Sequence, residues 1–564
     1  MVRSRLRRFA GPEEEPWWRR HALAVLLLAS ALGFFVNLGG VPLFDRDEGA
    51  FSEATREMFE RDDFVSTYLN GRPRYDKPIL IYWCQAVPVA LLGPREIAFR
   101  LPSAVFATLW VLAVFRFARP RLGTEAALAA GVLMATSLGV MMIGRAAIAD
   151  ALLNLLVTSA LFDCYRYWEQ PRRGPLLRAY LWVALGALTK GPVALLVPGA
   201  VSLIFFVATR RWRLWLRAAF QPLGWLVLLA VTLPWYLVQY SREGDAFLRG
   251  FFLRHNIERF ASPLEGHGGA FYYYLPVFLL AVLPHTSLLI ATLGRIRRWR
   301  HSDLDFFLWI WVLFVFGFFT VAGTKLPHYV YLCIAALFLL MGRYRLVLKN
   351  PWPALLPALV LIALVIALPW AVDIARTRVD DADLAAMLGA GSRALDAGYV
   401  VAGGAALVIV IVLGVLWRGP VWTLLGTAGG VVALLVATVV APAVGTILQQ
   451  PVKEAAQLSR TLAVPTVMWD LDNPSIGVYR AAATPDRRPE PGEAVITRRS
   501  RLPDLGPHRI LYERGAIVLA LLSDAAATDD TAAGSAAAEP AAADSVATPV
   551  SGSSGGAGGG RDAP

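Results

Sequence analysis

Charge is scarce in this chain. Only 17% of its 564 residues are Asp, Glu, Lys or Arg, whereas 56% are hydrophobic and the mean hydropathy is +0.52. A soluble fold could not hide so much apolar surface, so composition excludes one and implies a polytopic membrane protein. Cysteine is scarcer still. Cys84, Cys164 and Cys333 lie far apart inside apolar segments, which supports neither a disulfide framework nor a metal knuckle. No P-loop or dinucleotide fingerprint is present, so a soluble nucleotide is not expected to supply energy. The net charge of +12 does not point to nucleic acid. The basic residues fall in short clusters between apolar runs, as the positive-inside rule describes for membrane loops.

What the chain has is long apolar runs. After a basic, cytoplasmic 1–21 comes a retained first span near 22–39, which lacks a cleavage-site pattern. The next apolar piece, 79–93, is short for a span and contains Pro88. Laid along the interface instead of crossing, it puts RFARPRLG (116–123) on the cytoplasmic side. Later spans are expected near 101–118, 125–143, 148–165, 178–190, 192–208, 222–240, 271–293, 304–322, 326–342, 353–373, 398–417 and 420–441. With the first they make about thirteen, an odd number that leaves the C-terminus outside. The fold class is therefore an all-α polytopic membrane protein over 22–444, with interfacial helices in its first outer loop (40–100). Residues 445–522 read as a small mixed α/β domain: TVMWDLD, GVYR, AVITRR and HRILYERGAIVLALL look like strands, with loops and a helix among them. From 523 to 564 the chain is Ala, Gly, Ser, Asp and Pro, the composition of a disordered tail.

Residues 45–83 organise the rest. Asp45, Asp47 and Glu48 directly follow the first span, and an amphipathic helix with Phe51, Ala54, Met58 and Phe59 on one face comes next. A Gly-Arg-Pro turn and Asp76-Lys77-Pro78 lead into the short apolar segment. An N-cap at Asp45 with Glu48 three residues on would explain part of this, but neither Asp47 nor Lys77. Sidedness gathers the other polar residues on the same outer face: Arg145, Asp150, Lys190, His255, Asn256, Arg259, His267, Lys325, His328 and Tyr329. Singly, each has a plain explanation as cap, snorkelling cation, loop hydrogen-bonder or belt aromatic. Together they suit a cavity whose cations hold a lipid-linked phosphate while a carboxylate handles an attacking hydroxyl.

The run DRDEGAFSEATREMF…DDFVSTYLNGRPRYDKPILIYW, followed by GPREIAFRLPSA, RAAIAD, TKGPVALLVP, HNIERF and KLPHYVY, resembles the bacterial aminoarabinose-transferase-like (ArnT-like) membrane glycosyltransferases. These are relatives of protein O-mannosyltransferases with the GT-C fold, and the likeness covers roughly residues 22–345. The resemblance implies a polyprenyl-phosphate (undecaprenyl phosphate) sugar donor, a lipid A-like or other envelope acceptor, transfer on the periplasmic face of the inner membrane, and inversion at the anomeric carbon. Carried over by motif, Asp47, Glu48 and Asp150 become the catalytic candidates, and Lys77, Arg259, Lys325, His328 and Tyr329 the lipid-phosphate candidates. Asp76, His255 and His267 are the candidates for a divalent metal ion, although one acid and a loop histidine are fewer ligands than a dedicated site needs.

Two departures stand out. Ala50-Phe51 replaces an Arg-Tyr pair common in the family, so one phosphate-binding cation is missing or supplied elsewhere. Asp76 replaces the usual glutamate. Two further acceptor or function classes stay open from sequence: a protein serine or threonine acceptor, and a transporter or flippase of lipid-linked sugars. The latter would spread charge through the membrane depth instead of placing it at one face.

Overall fold

The computed structural model describes residues 17–251, 258, 269–391 and 393–523. Among these, six helices are long and apolar enough to cross a membrane: α3 (Glu96–Leu122), α8 (Pro222–Phe251), α9 (Asp303–Val321), α10 (Pro351–Arg376), α11 (Ala397–Leu416) and α12 (Val421–Leu448). A seventh is formed if the pair Thr124–Ala135 and Leu138–Arg145, bent by 63°, counts as one span. Other apolar helices are too short or too charged to qualify by length and composition. Helix α4 (Asp150–Glu169) carries Asp150, Asp163, Arg166 and Glu169, and α5 (Arg173–Lys190) carries Arg173, Arg178 and Lys190. Helix α6 (Val193–Ala208) has only 16 residues. Segment 271–293, expected as one span, folds as two short helices, Tyr274–Ala281 and Thr286–Leu293. The break falls at Pro284, which has no backbone N–H to continue a helix.

Helix α1 (Asp47–Glu60) begins with Asp47 and Glu48, whose negative charge suits a helix N-terminus. Its expected apolar face is mostly buried: Phe51, Ala54 and Met58 are enclosed, and Phe59 is 38% exposed with its ring edge-on to Phe64. The helix is enclosed on its polar side as well. Ser52, Glu53, Thr55, Arg56 and Glu57 are all buried. Glu53 is held by Arg56, and Glu57 accepts from the Gly71 N–H in the turn between the two-residue strands β1 (Tyr68–Leu69) and β2 (Arg72–Pro73). Helix α2 (Leu80–Leu92) follows. Its 13 residues span about 20 Å, short of the roughly 30 Å hydrocarbon core.

Beyond α12 lie α13 (Gln450–Ser459) and a four-stranded sheet of β3 (Thr466–Met468), β4 (Ala494–Arg498), β5 (His508–Arg514) and β6 (Ile517–Leu522) in the order β3-β4-β6-β5. The β3–β4 pair is parallel and the other two pairs are antiparallel. GVYR, expected as a strand, is helical. It ends α14 (Ser475–Arg480), a helix introduced by Pro474 and closed by Ala481 at φ +57°.

Candidate active site

Helix ends bring the candidate residues together. Asp150 opens α4 and Lys190 closes α5 just before Gly191, whose φ of +75° ends the helix. Each charge therefore sits at the helix terminus that favours it. Lys190 Nζ donates to Asp150 Oδ1 at 2.8 Å. His328, in the 3₁₀ turn Pro327–Cys333, places Nε2 3.9 Å from the same oxygen. The neighbouring Tyr329 ring lies 5.8 Å from Lys190 Nζ and packs against Phe319. Lys77 is near enough to act electrostatically on both Asp150 and His328, and Asp47 on His328. Five separate stretches of chain thus converge on one mixed acidic and basic cluster: 47, 77, 150, 190 and 328/329.

Asp47 is exposed, and it lines a cavity of about 340 Å³ with Asp45, Arg46, Glu48, Arg100 and Arg145. Its neighbour Glu48 is braced. The Glu48 carboxylate pairs with Arg100 in two bonds (2.7 and 2.8 Å) and accepts from the Phe44 and Ala147 backbone N–H groups. Arg100 spends its other donors on the Leu38, Val41 and Pro42 carbonyls. That network fixes the loop carrying Asp47 and engages both oxygens of Glu48, which sequence reading placed among the catalytic candidates.

Lys325 is buried, with Nζ donating to the Thr320 and Ala322 carbonyls at 3.1 and 2.8 Å. It satisfies carbonyls that the end of α9 leaves without partners. Asp76 accepts from Arg74 Nε at 3.4 Å. His255, Arg259 and His267, with Asn256, lie outside the described residues. Among the described residues no group of three or more His, Cys, Asp or Glu is placed to hold a metal ion.

Sequence reading missed Arg74. Its guanidinium donates to the Ala50 carbonyl at 2.6 Å and lies over the Phe51 ring at 5.0 Å. Burial opposes its charge, but Tyr82, Asp76 and Asp47 hold it more firmly protonated than usual. Its position two residues before Asp76 was the available signal. A cation therefore stands beside the very pair, Ala50-Phe51, at which this chain lacks the arginine common in the family.

Asp45 does not cap α1, which has no side-chain cap. It accepts instead from the Ser475 N–H (2.9 Å), the Asn473 amide (3.0 Å) and the Ser475 hydroxyl. Burial pushes its carboxyl from 3.8 up to about 6, against the lowering effect of Ser475 and Asn473. Burial likewise pushes Glu53 from 4.5 up to about 7, against Arg56. Both acids bind their protons more tightly folded than unfolded, so this contribution to stability is lost as pH rises from about 4 to 7. Acidification from about pH 7 to about pH 5 should raise the unfolding temperature of the detergent-solubilised protein. Asp45→Asn should shrink that rise; an undiminished rise would place the effect in other groups.

These features define a multi-pass membrane protein with a polar cluster gathered at helix ends. Residues 76–237 match the family described as dolichyl-phosphate-mannose-protein mannosyltransferase. The undecaprenyl phosphate-alpha-4-amino-4-deoxy-L-arabinose arabinosyl transferase of Edwardsiella ictaluri is 33% identical over 331 residues, covering 57% of this chain and 58% of that protein. The protein of the same name from Pseudomonas paraeruginosa is 32% identical over 330 residues, covering 57% and 59%. The chain thus spans under two thirds of the length of these relatives. The crystal structure of ArnT from Cupriavidus metallidurans bound to undecaprenyl phosphate superposes with a TM-score of 0.73 at 21% identity, over 89% of this chain and 97% of that one. The fold is thus that of the ArnT crystal structure, and the sequence is similar to the arabinosyl transferases over 57% of this chain.

Proposed function

We propose that the protein is an integral-membrane glycosyltransferase of the inner membrane. It moves a sugar from a polyprenyl-phosphate donor to a lipid A-like or other envelope acceptor on the periplasmic face. The observation that carries this reading is the convergence of Asp150, Lys190 and His328, with Lys77 and Asp47 within electrostatic reach. The acceptor oxygen attacks the anomeric carbon as the bond from that carbon to the phosphate oxygen breaks on the opposite side, so the configuration inverts. Polyprenyl phosphate departs with the electron pair. Phosphate is a good leaving group, so it needs positive charge more than a proton. Lys77 is the described candidate for that charge, with Arg259 outside the described residues, and His328 can offer a hydrogen bond. A hydroxyl acceptor gives its proton to Asp47, whereas an acceptor already ionised, such as a lipid phosphate, needs only positioning.

On the thirteen crossings read from the sequence, this cluster, the interfacial loop 40–100 and the 445–522 α/β domain face the periplasm, with the long charged helices α4 and α5 among the spans. The match of 76–237 to the mannosyltransferase family favours one alternative acceptor, a protein serine or threonine. Incubating proteoliposomes with a labelled polyprenyl-phosphate sugar tests the reading. Label recovered on a lipid or glycan acceptor supports it, and label on protein supports the alternative. Label that crosses the bilayer without changing carrier refutes both in favour of a flippase.

A further inference from the structure

A second charged cavity lies at the opposite end of α4 and α5. The 20 residues of α4 carry the chain about 30 Å from Asp150, roughly the thickness of the hydrocarbon core. There, a cavity of about 450 Å³ is lined by Arg116, Arg121, Arg166, Arg172 and Arg178 against a single carboxylate, Glu169. Arg121 is paired with Glu169, while Arg166 and Arg178 are held by the buried Asp163. The Arg121 and Arg166 guanidinium groups lie over the Phe117 ring, at 4.2 and 5.5 Å. These contacts fix three guanidinium groups around the cavity before any ligand arrives. Arg116 and Arg172 are exposed, and neither is paired within the described residues.

Asp163 also lines a neighbouring cavity of about 210 Å³. That one is apolar, walled by Leu176, Ala179, Leu195, Gly199 and Phe206 and closed by Trp215. Trp215 comes from α7 (Trp212–Ala219), a helix with no buried residue, on which Trp212 and Leu216 are exposed beside its arginines. Such a helix lies in a membrane interface. A basic cavity and an apolar one, both lined by residues of α4 and α5, match the two ends of an amphiphile.

We propose that this is a binding site for an anionic glycerophospholipid of the leaflet opposite the transfer site. Its phosphodiester headgroup sits among the arginines and an acyl chain enters the cavity under Trp215. Charge complementarity selects the headgroup, and the bilayer-facing position supplies it; basic pockets between spans on the cytoplasmic side take such headgroups. The site is separate from the cluster at Asp150 and does not depend on the reaction proposed there.

The test is native mass spectrometry of the full-length protein released from nanodiscs of defined cardiolipin, phosphatidylglycerol and phosphatidylcholine content. Wild type should retain cardiolipin or phosphatidylglycerol over phosphatidylcholine, with retention falling as salt rises. Each arginine near an anionic headgroup contributes about a fivefold factor, so Arg116→Gln with Arg172→Gln should weaken retention roughly 25-fold. Gly199→Trp, at a position where an added Cβ meets nothing within 4 Å, should fill the apolar cavity and lower retention with all the arginines present. Asp47→Asn should retain lipid as wild type does. Retention unchanged in the double variant, equal retention of phosphatidylcholine, or displacement by inorganic phosphate or polyprenyl phosphate would overturn the proposal.

Discussion

Asp47→Asn is expected to lower transfer by about 10²–10⁴ when the acceptor is a hydroxyl. Asp47 is exposed in the first turn of α1 and lines the cavity between Arg100 and Arg145. No hydrogen bond or ion pair within the described residues engages its carboxylate. Its charge acts on Arg74 and on His328. A surface carboxylate without a structural partner is replaced by an isosteric amide at little cost in folding, so lost activity would report chemistry. A base removes its proton only as the new bond forms, so the loss should fall on kcat and leave KM nearly unchanged. If the acceptor is already an ionised phosphate, the same variant loses positioning instead and KM moves with kcat. Initial rates in reconstituted membranes across a range of donor and acceptor concentrations separate the two cases. Wild-type turnover by the variant would remove Asp47 from the reaction altogether.

The ordered motifs made part of this site readable before any coordinates. Asp150, Lys190 and His328 each stand at a predicted span end, where sidedness expects them on one face, and the structure brings the three side chains together. Their pairing follows, because helix ends at one bilayer surface have little lateral distance to cover. The brace behind Asp47 was not readable. Arg100 is 52 residues from Glu48, and neither helical period nor motif spacing connects positions so far apart. Lys325 has partners that its motif did not announce. Its motif invited a phosphate contact, but the end of α9 presents carbonyls that a buried ammonium satisfies. The amphipathic pattern of α1 was read correctly for its apolar side, but it could not reveal that its polar side is covered too. Glu53 and Arg56 pair with each other there, so charged residues mark a packed surface.

Glu48→Ala should destabilise the protein by about 3–5 kcal/mol, the usual cost of breaking a buried ion pair from one side. The side chains of Glu48 and Arg100 are only 6% and 5% exposed. Removing the carboxylate strands the Arg100 guanidinium and leaves the Phe44 and Ala147 N–H groups without their acceptor. Those N–H groups bracket the loop before α1 and the turn before Asp150, so the damage reaches both sides of the proposed site at once. Glu48→Gln restores an acceptor but not the charge, and it should fall between alanine and wild type. Glu48→Leu combined with Arg100→Met should recover only the part due to the unmatched charge, since the Phe44 and Ala147 N–H groups and the Leu38, Val41 and Pro42 carbonyls stay without their partners. If Glu48 acts only as a brace, transfer by these variants should follow the folded fraction measured by thermal unfolding in detergent. A double variant that is stable yet inactive would return Glu48 to the catalytic group, and a Glu48→Ala protein as stable as wild type would show that the brace carries no weight.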